Sequence, residues 1–268
     1  MPLRVSLCVC VLLSGLPLRT ADDVPRATDA LGGFALQDAR GARLLLLPDV
    51  EHPERLETAL CSDGRRMAVQ FDRRQVERPG ANGRQTPQTF DHLAGSVFRI
   101  GTGTVGADVT CFLAGETLLA GAVALTTAAP GSAGACSQRD RFAALRARPV
   151  TQCWPVARLV PDKEVVLVEF ARRGKDALAS LVLVNGRETI FADYPAEFRG
   201  DGHDLWRADD GGVLSPDDFR VVFALQRGSG YIVAVAWSGA EGASLSLWIS
   251  EGPEFKQAIR DYWYQAPS

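Results

Sequence analysis

The chain reads as a mainly β protein: antiparallel sheets in a sandwich-like or partly closed barrel arrangement, with one or two short helices and a C-terminal amphipathic helix. Three observations predict this. Phe219–Ser250 (FRVVFALQRGSGYIVAVAWSGAEGASLSLWIS) runs as three β-rich segments separated by Gly228-Ser229-Gly230 and Ser238–Gly242, the composition of a meander with tight connections. Asn185-Gly186 is flanked by the segments Leu178–Val184 and Arg187–Phe191, a hairpin signal because a type I′ turn needs positive φ at both central residues. Glu164–Phe170 is almost wholly β-branched or apolar.

In chain order, residues 1–21 come first as a secretory signal. Arg4 supplies a basic start, Val5–Leu13 an apolar run, and Ala21 a small residue before Asp22-Asp23. Arg19 fits badly at the −3 position, so cleavage after Ala30, with Thr28 at −3, is the alternative. The apolar run is too short to span a bilayer comfortably. Cys8 and Cys10 lie inside it behind bulky residues, which rejects a lipoprotein signal. Thr117–Thr127 is likewise too short to span and reads as one or two buried strands.

Removal of residues 1–21 takes away Arg4 and Arg19 and no acid, leaving 27 basic against 32 acidic residues and a net charge of −5. A mildly acidic chain with interspersed charges does not suit sequence-independent nucleic-acid binding. Four cysteines remain, Cys61, Cys111, Cys136 and Cys153. An even number in an exported chain points to two disulfides. The absence of C-x-x-C argues against zinc ribbons and thioredoxin-like chemistry. Of three connectivities, Cys61–Cys111 with Cys136–Cys153 is favoured because the second pair brackets a local unit.

Two halves are expected, an N-terminal β-rich half over residues 28–150 and a C-terminal half over 151–268, or one continuous domain. In the first, Phe34–Leu36, Leu44–Leu47, Met67–Phe71, Ser96–Ile100 and Ala107–Leu113 read as strands. Pro53–Leu60 has apolar residues at helical spacing after a proline suited to a first turn, which predicts a short helix. Pro79–Gln88 and Ala128–Ala135 read as loops, and Ser137–Asp140 has capping-box spacing before a short helix at Phe142–Arg146. At the C-terminus, Phe255, Ile259, Tyr262 and Trp263 lie on one face if Glu254–Tyr264 is a helix.

The motifs that bear on chemistry are few. Gly101, Gly103 and Gly106 spell G-x-G-x-x-G after a strand. The dinucleotide site also needs a following helix and an acid near position 120. A strand-like ADVTCFLAG follows instead, and Thr117–Arg139 contains no acid, so the glycines read as turn residues. No G-x-S-x-G elbow occurs in the mature chain, and His52, His92 and His203 are the only imidazoles.

The richest segment is Phe198–Asp218 (FRGDGHDLWRADDGGVLSPDD), which gathers Asp201, His203, Asp204, Asp209 and Asp210 around Trp206. These are the candidate ligand or metal residues, with calcium as the metal, since carboxylate oxygens suit a hard cation. The bland reading is turn chemistry from Asp-Gly pairs, Ser215–Asp218 as an N-capped helical turn, and neutralisation by Arg199, Arg207 and Arg220. The spacing does not match the calcium loop D-x-[DN]-x-[DN]-G. All five tryptophans, Trp154, Trp206, Trp237, Trp248 and Trp263, lie in the second half. Trp237 and Trp248 fall in strands and read as core; Trp206 is the one suited to surface recognition of carbohydrate or protein.

Cys61–Phe71 (CSDGRRMAVQF) resembles the opening strand pair of the periplasmic inhibitors of C-type lysozyme, and Ser238-Gly239 followed by Trp248 resembles their inhibitory stretch. The tyrosine expected after Ser-Gly is absent, and the two fragments lie too far apart for that small domain, so the likeness carries no function here.

Together these features predict an exported, disulfide-containing β-scaffold that binds a protein or carbohydrate ligand without catalysis. The competing class is a secreted, carbohydrate-active hydrolase using acids of residues 198–218.

Overall fold

The β-rich segments close into two barrels, which lie against each other along one face of each. The structure is a computed structural model that describes residues 31–130, 135–198, 214–239 and 241–266. The first barrel consists of β1 (Gly32–Gln37), β2 (Arg43–Leu46), β3 (Leu56–Cys61), β4 (Arg66–Gln75), β5 (Gly95–Ile100) and β6 (Cys111–Gly115), in the order β1-β2-β5-β4-β3-β6. The second consists of β7 (Ala122–Ala128), β8 (Val150–Val160), β9 (Lys163–Arg173), β10 (Asp176–Asn185), β11 (Glu188–Glu197), β12 (Phe219–Arg227), β13 (Gly230–Ser238), β14 (Gly242–Glu251) and β15 (Glu254–Tyr264). Its order is β10-β11-β15-β14-β13-β12-β7-β8-β9. Closure pairs most strand edges, the aggregation hazard of an open sheet, although β11 and β15 share only one ladder position.

Where the barrels meet, strands are buried on both faces and lose the simple inside-outside alternation. In β1, Phe34 and Leu36 point to the neighbouring barrel while Ala35 points into the lumen, and all six residues are buried. On the other side, Ile232, Ala234, Ala236, Leu245 and Leu247 of β13 and β14 join Phe34, Phe112 and Phe223 in the cluster between the barrels. Phe112 meets Phe34 and Phe223 edge to face at 5.1 and 5.4 Å. The leucines of β14 therefore face the first barrel, and its serines face the lumen of the second.

The C-terminal helix expected over Glu254–Tyr264 is instead β15, paired with β14 from Glu251↔Glu254 to Gly242↔Tyr264. Spacing by four is even, so it satisfies a strand as well as a helix. A bulge at Ala258, between the pairs Leu247↔Ile259 and Trp248↔Gln257, then reverses the faces. Phe255 enters the lumen while Ile259 and Trp263 pack between the barrels. The helix expected at Pro53–Leu60 reduces to one 3-10 turn, Pro53–Arg55, after which Leu56, Ala59 and Leu60 belong to β3. Thr117–Thr127 splits into α1 (Glu116–Leu119) and β7. The helix at Phe142–Arg146 is present as α2 (Arg139–Arg146), and its Phe142 packs on the outer face of β9–β11.

The turn between β10 and β11 is shifted by one residue from Asn185-Gly186. Asn185 pairs with Glu188, so the loop is Gly186-Arg187 with positive φ only at Gly186. That is the type II′ pattern, glycine first. The hairpins turning at Gly174, Gly228 and Gly252 repeat it. Gly101–Gly106 is a connection leading to strand β6 with no helix between.

The disulfides are the favoured pair. Cys61–Cys111 joins directly opposed residues of β3 and β6, with Cα atoms 4.1 Å apart. Cys136–Cys153 ties the turn before α2 to β8. Among the described residues no helix is long and apolar enough to cross a membrane.

Candidate functional site

The second barrel closes at its weakest point between β11 and β15. These are its one parallel pair of neighbours, and they share a single ladder position, Phe191↔Glu254, with the Phe191 N–H donating to the Pro253 carbonyl at 3.1 Å. Phe191 turns its backbone polar groups toward the seam, so by the two-residue period Asp193 and Pro195 do the same. Pro195 has no N–H to donate, and a ladder cannot continue through it. Beyond Phe191 the strands part.

The gap is a cavity of about 370 Å³. Asp193, Tyr194, Pro195 and Ala196 of β11 form one wall, and Gln257 and Arg260 of β15 the other. The floor is Val235 and Trp237 of β13 with Ser244, Ser246 and Trp248 of β14. Cross-strand register explains this set. Phe219, Trp237, Ser244 and Tyr262 form one row on the lumen face; Val221, Val235, Ser246 and Arg260 form the next. The two serines are the small members of their rows, and the space above them is the cavity.

Aromatic rings make the floor rigid. Trp237 stacks on Phe219 at 4.9 Å, and Tyr194 stands edge-on to Trp237 at 5.4 Å and to Trp248 at 5.7 Å. Burial raises the pKa of the Tyr194 hydroxyl well above the ordinary phenol range, and the neighbouring Trp248 indole opposes the rise only in part. The phenol therefore stays neutral and serves as a hydrogen-bonding group, not as a base.

Arg260 presents an exposed guanidinium without a partner among the described residues, and the indole N–H groups of Trp237 and Trp248 are buried without one. Gln257 donates to the Ser246 hydroxyl at 2.7 Å. Asp193 is committed elsewhere, accepting from the Ser180 hydroxyl at 2.5 Å and pairing with Arg146 at 3.1 Å. The site thus offers an aromatic surface and one unpaired cation, with two unpartnered indole N–H groups buried in its floor. Among the described residues that line it, neither Ser244 nor Ser246 is hydrogen-bonded to a histidine or a carboxylate.

A larger hollow, about 940 Å³, lies beside β3 and is lined by Glu51, His52, Arg55, Glu57, Arg66 and Glu116 among others. His52 Nδ1 is 3.1 Å from the Glu54 carboxylate and its Nε2 is 3.8 Å from Glu51. The Glu54 carboxyl is held below its ordinary pKa by its own backbone N–H and by His52, so it is ionised at neutral pH and cannot serve as a general acid. These exposed pairs are the kind that contribute little. Between the barrels a hollow of about 330 Å³ is crossed by Arg220, which donates to the Asp108 carbonyl at 2.5 Å.

Asp201, His203, Asp204, Trp206, Asp209 and Asp210 lie outside the described residues, so the calcium and ligand expectations placed on them stand apart from this geometry. The segments flanking them are described. Phe198 follows β11, and its N–H donates to the Lys175 carbonyl. Leu214 packs into the lumen cluster, and Ser215 caps the 3-10 turn Pro216–Asp218 as expected. Among the described residues no cluster of three or more His, Cys, Asp or Glu side chains is arranged to hold a metal. Trp237 and Trp248, expected as core, are core on one side and cavity floor on the other. Tyr194 and Arg260 carried no motif; the available signals were a Tyr-Pro pair inside a strand and serines alternating with leucines in β14.

No family model, no curated protein and no solved structure matches the chain.

Proposed function

We propose that the chain is an exported, non-enzymatic binding protein whose ligand enters the second barrel through the gap between β11 and β15. One observation carries the reading: the unpaired guanidinium of Arg260 lines a cavity floored by the rings of Trp237 and Trp248, with Tyr194 edge-on to both. An apolar hollow with a few converging polar groups is the usual form of a ligand site. Its size, about 370 Å³, is within the range of such sites. The signal-like leader over residues 1–21 and the two disulfides support export.

Anilinonaphthalene sulfonate, an aromatic anion, tests the site by fluorescence titration of the folded protein. The wild type is expected to bind it, with at least tenfold weaker binding in both Ser244→Trp, which fills the cavity, and Arg260→Ala, which removes the cation. Unchanged melting temperatures would confirm that both variants fold. No binding by the wild type, or equal binding by all three proteins, overturns the proposal.

A further inference from the structure

We infer that the ligand of this gap is an extended peptide segment that inserts between β11 and β15 as an additional strand; the inference rests on the gap being the binding site. Both walls are strand edges. On β11, Asp193 and Pro195 face the gap, as the direction of the Phe191 N–H requires. On β15, the backbone of Tyr264 faces outward from β14, so Tyr262 and Arg260 do as well. Because β11 and β15 are parallel to each other, one inserted strand runs antiparallel to both and forms the better-aligned ladder on each side. On β15 the Tyr262 N–H is already taken by the Asp261 carboxylate at 2.8 Å, so the outward main-chain groups in question are those of Arg260 on β15 and of Asp193 on β11. A small rigid ligand satisfies the rings and the Arg260 guanidinium but leaves these main-chain groups to water; an extended peptide satisfies them too.

The edge of β15 already accepts main chain at its far end. The Gln85 backbone N–H donates to the Tyr264 carbonyl at 2.8 Å, the Tyr264 N–H donates to the Gln85 side-chain oxygen at 2.6 Å, and the Gln265 amide donates to the Gln85 carbonyl at 3.1 Å. The gap is therefore bounded by the closing pair Phe191↔Glu254 at one end and by Gln85 at the other. β15 is 11 residues long, and at roughly 3.4 Å per residue the open edge has room for a segment of about seven.

Side chains of the segment would alternate between lumen and solvent. A lumen-facing position meets Arg260, and the lumen positions two residues away meet the rows of Trp237 and of Trp248. The chemistry that fits is an acidic side chain flanked at two-residue spacing by aromatic or aliphatic ones. Charge pairing with Arg260 sets the register, and the indole floor takes the apolar side chains.

The test displaces anilinonaphthalene sulfonate from the full chain with blocked heptapeptides. These carry glutamate at the centre, phenylalanine, leucine, valine or tyrosine two residues to either side, and threonine elsewhere. At least one member should displace the dye, and its counterpart with N-methylated backbone amides should bind at least tenfold more weakly. Arg260→Glu should lose at least tenfold for the glutamate peptide and gain affinity for its lysine counterpart. If the N-methylated peptide binds as well as its parent, or if no member displaces a dye that the wild type binds, the inserted strand is overturned while the gap remains a ligand site. If the dye itself is indifferent to Ser244→Trp, the site falls and the peptide inference with it.

Discussion

The guanidinium carbon of Arg146 sits 3.8 Å from the ring centroid of Phe191, the residue at which the second barrel closes. The same guanidinium reaches Asp193 of β11 at 3.1 Å and Glu254 of β15 at 2.8 Å. A side chain from α2 thus holds together two strands that share a single ladder pair. It is mostly buried while both carboxylates keep contact with water, so the pairs are screened less than surface ones without the full desolvation penalty of a buried ion pair.

Arg146→Ala removes a charged donor from two acceptors and uncovers Phe191. The expected cost is about 2 kcal/mol, in line with charge-assisted hydrogen bonds. It should appear as a lower urea midpoint with the slope unchanged. Hydrogen exchange should quicken first at the Phe191 amide, because that bond closes the barrel. Arg146→Lys should recover only part of the loss, since one ammonium cannot reproduce the fork that reaches both strands.

Two glycines separate backbone strain from steric room. A Cβ at Gly242 would lie 2.0 Å from the Trp263 carbonyl oxygen, whereas nothing lies within 4 Å of one at Gly186, where φ is +58°. Gly186→Ala should cost about 1 kcal/mol through the left-handed backbone alone. Gly242→Ala should cost about 3 kcal/mol, since β15 must move away from β14. Thermal melts of the two variants, read against the wild type, check the order.

Acid should weaken the first barrel through Asp38. Its side chain is 5% exposed. Burial raises its pKa, but the Arg43 guanidinium at 2.8 Å and the backbone N–H groups of Arg43 and Ala42 outweigh that and hold it below the ordinary value. A depressed carboxyl contributes stability above its unfolded pKa, and the contribution fades as pH falls through the folded one. Asp38→Asn should therefore lower stability at pH 7, by about 2 kcal/mol, and narrow the difference from wild type at low pH. A variant equally destabilised at every pH would show that the charge is not responsible.

Replacing both cysteines of one bridge by alanine should cost about 4 kcal/mol for Cys61–Cys111 and about 3 kcal/mol for Cys136–Cys153, as the loops of 50 and 17 residues imply. Reductant titrations of the wild type should give the same order of loss.

The strands of the meander were readable because β-branched and aromatic runs between glycine turns admit few other structures. The pairing of the cysteines was readable as a preference, since Cys136 and Cys153 are near in sequence. The C-terminal strand was not, because Phe255, Ile259 and Trp263 are spaced by four, an interval that helix and strand share, and only pairing with β14 separates the two. The turn lies at Gly186-Arg187, one residue on from the Asn-Gly pair, because register between Asn185 and Glu188 selects which residues form the loop. The wall residues Tyr194 and Arg260, 66 positions apart in the chain, carry no local signal of their meeting.

By itself the sequence determined a β-rich chain with a signal-like leader, two cysteine pairs and no catalytic motif, since composition, period and turn residues are local properties. Only the tertiary structure decided that the sheets close into two barrels and that the leucines of β14 face the first barrel while its serines face a lumen. It also decided that Pro195 and a single parallel pair leave a gap beside Trp237. Closure and register depend on which strands become neighbours, and that is settled by the packing of both barrels together.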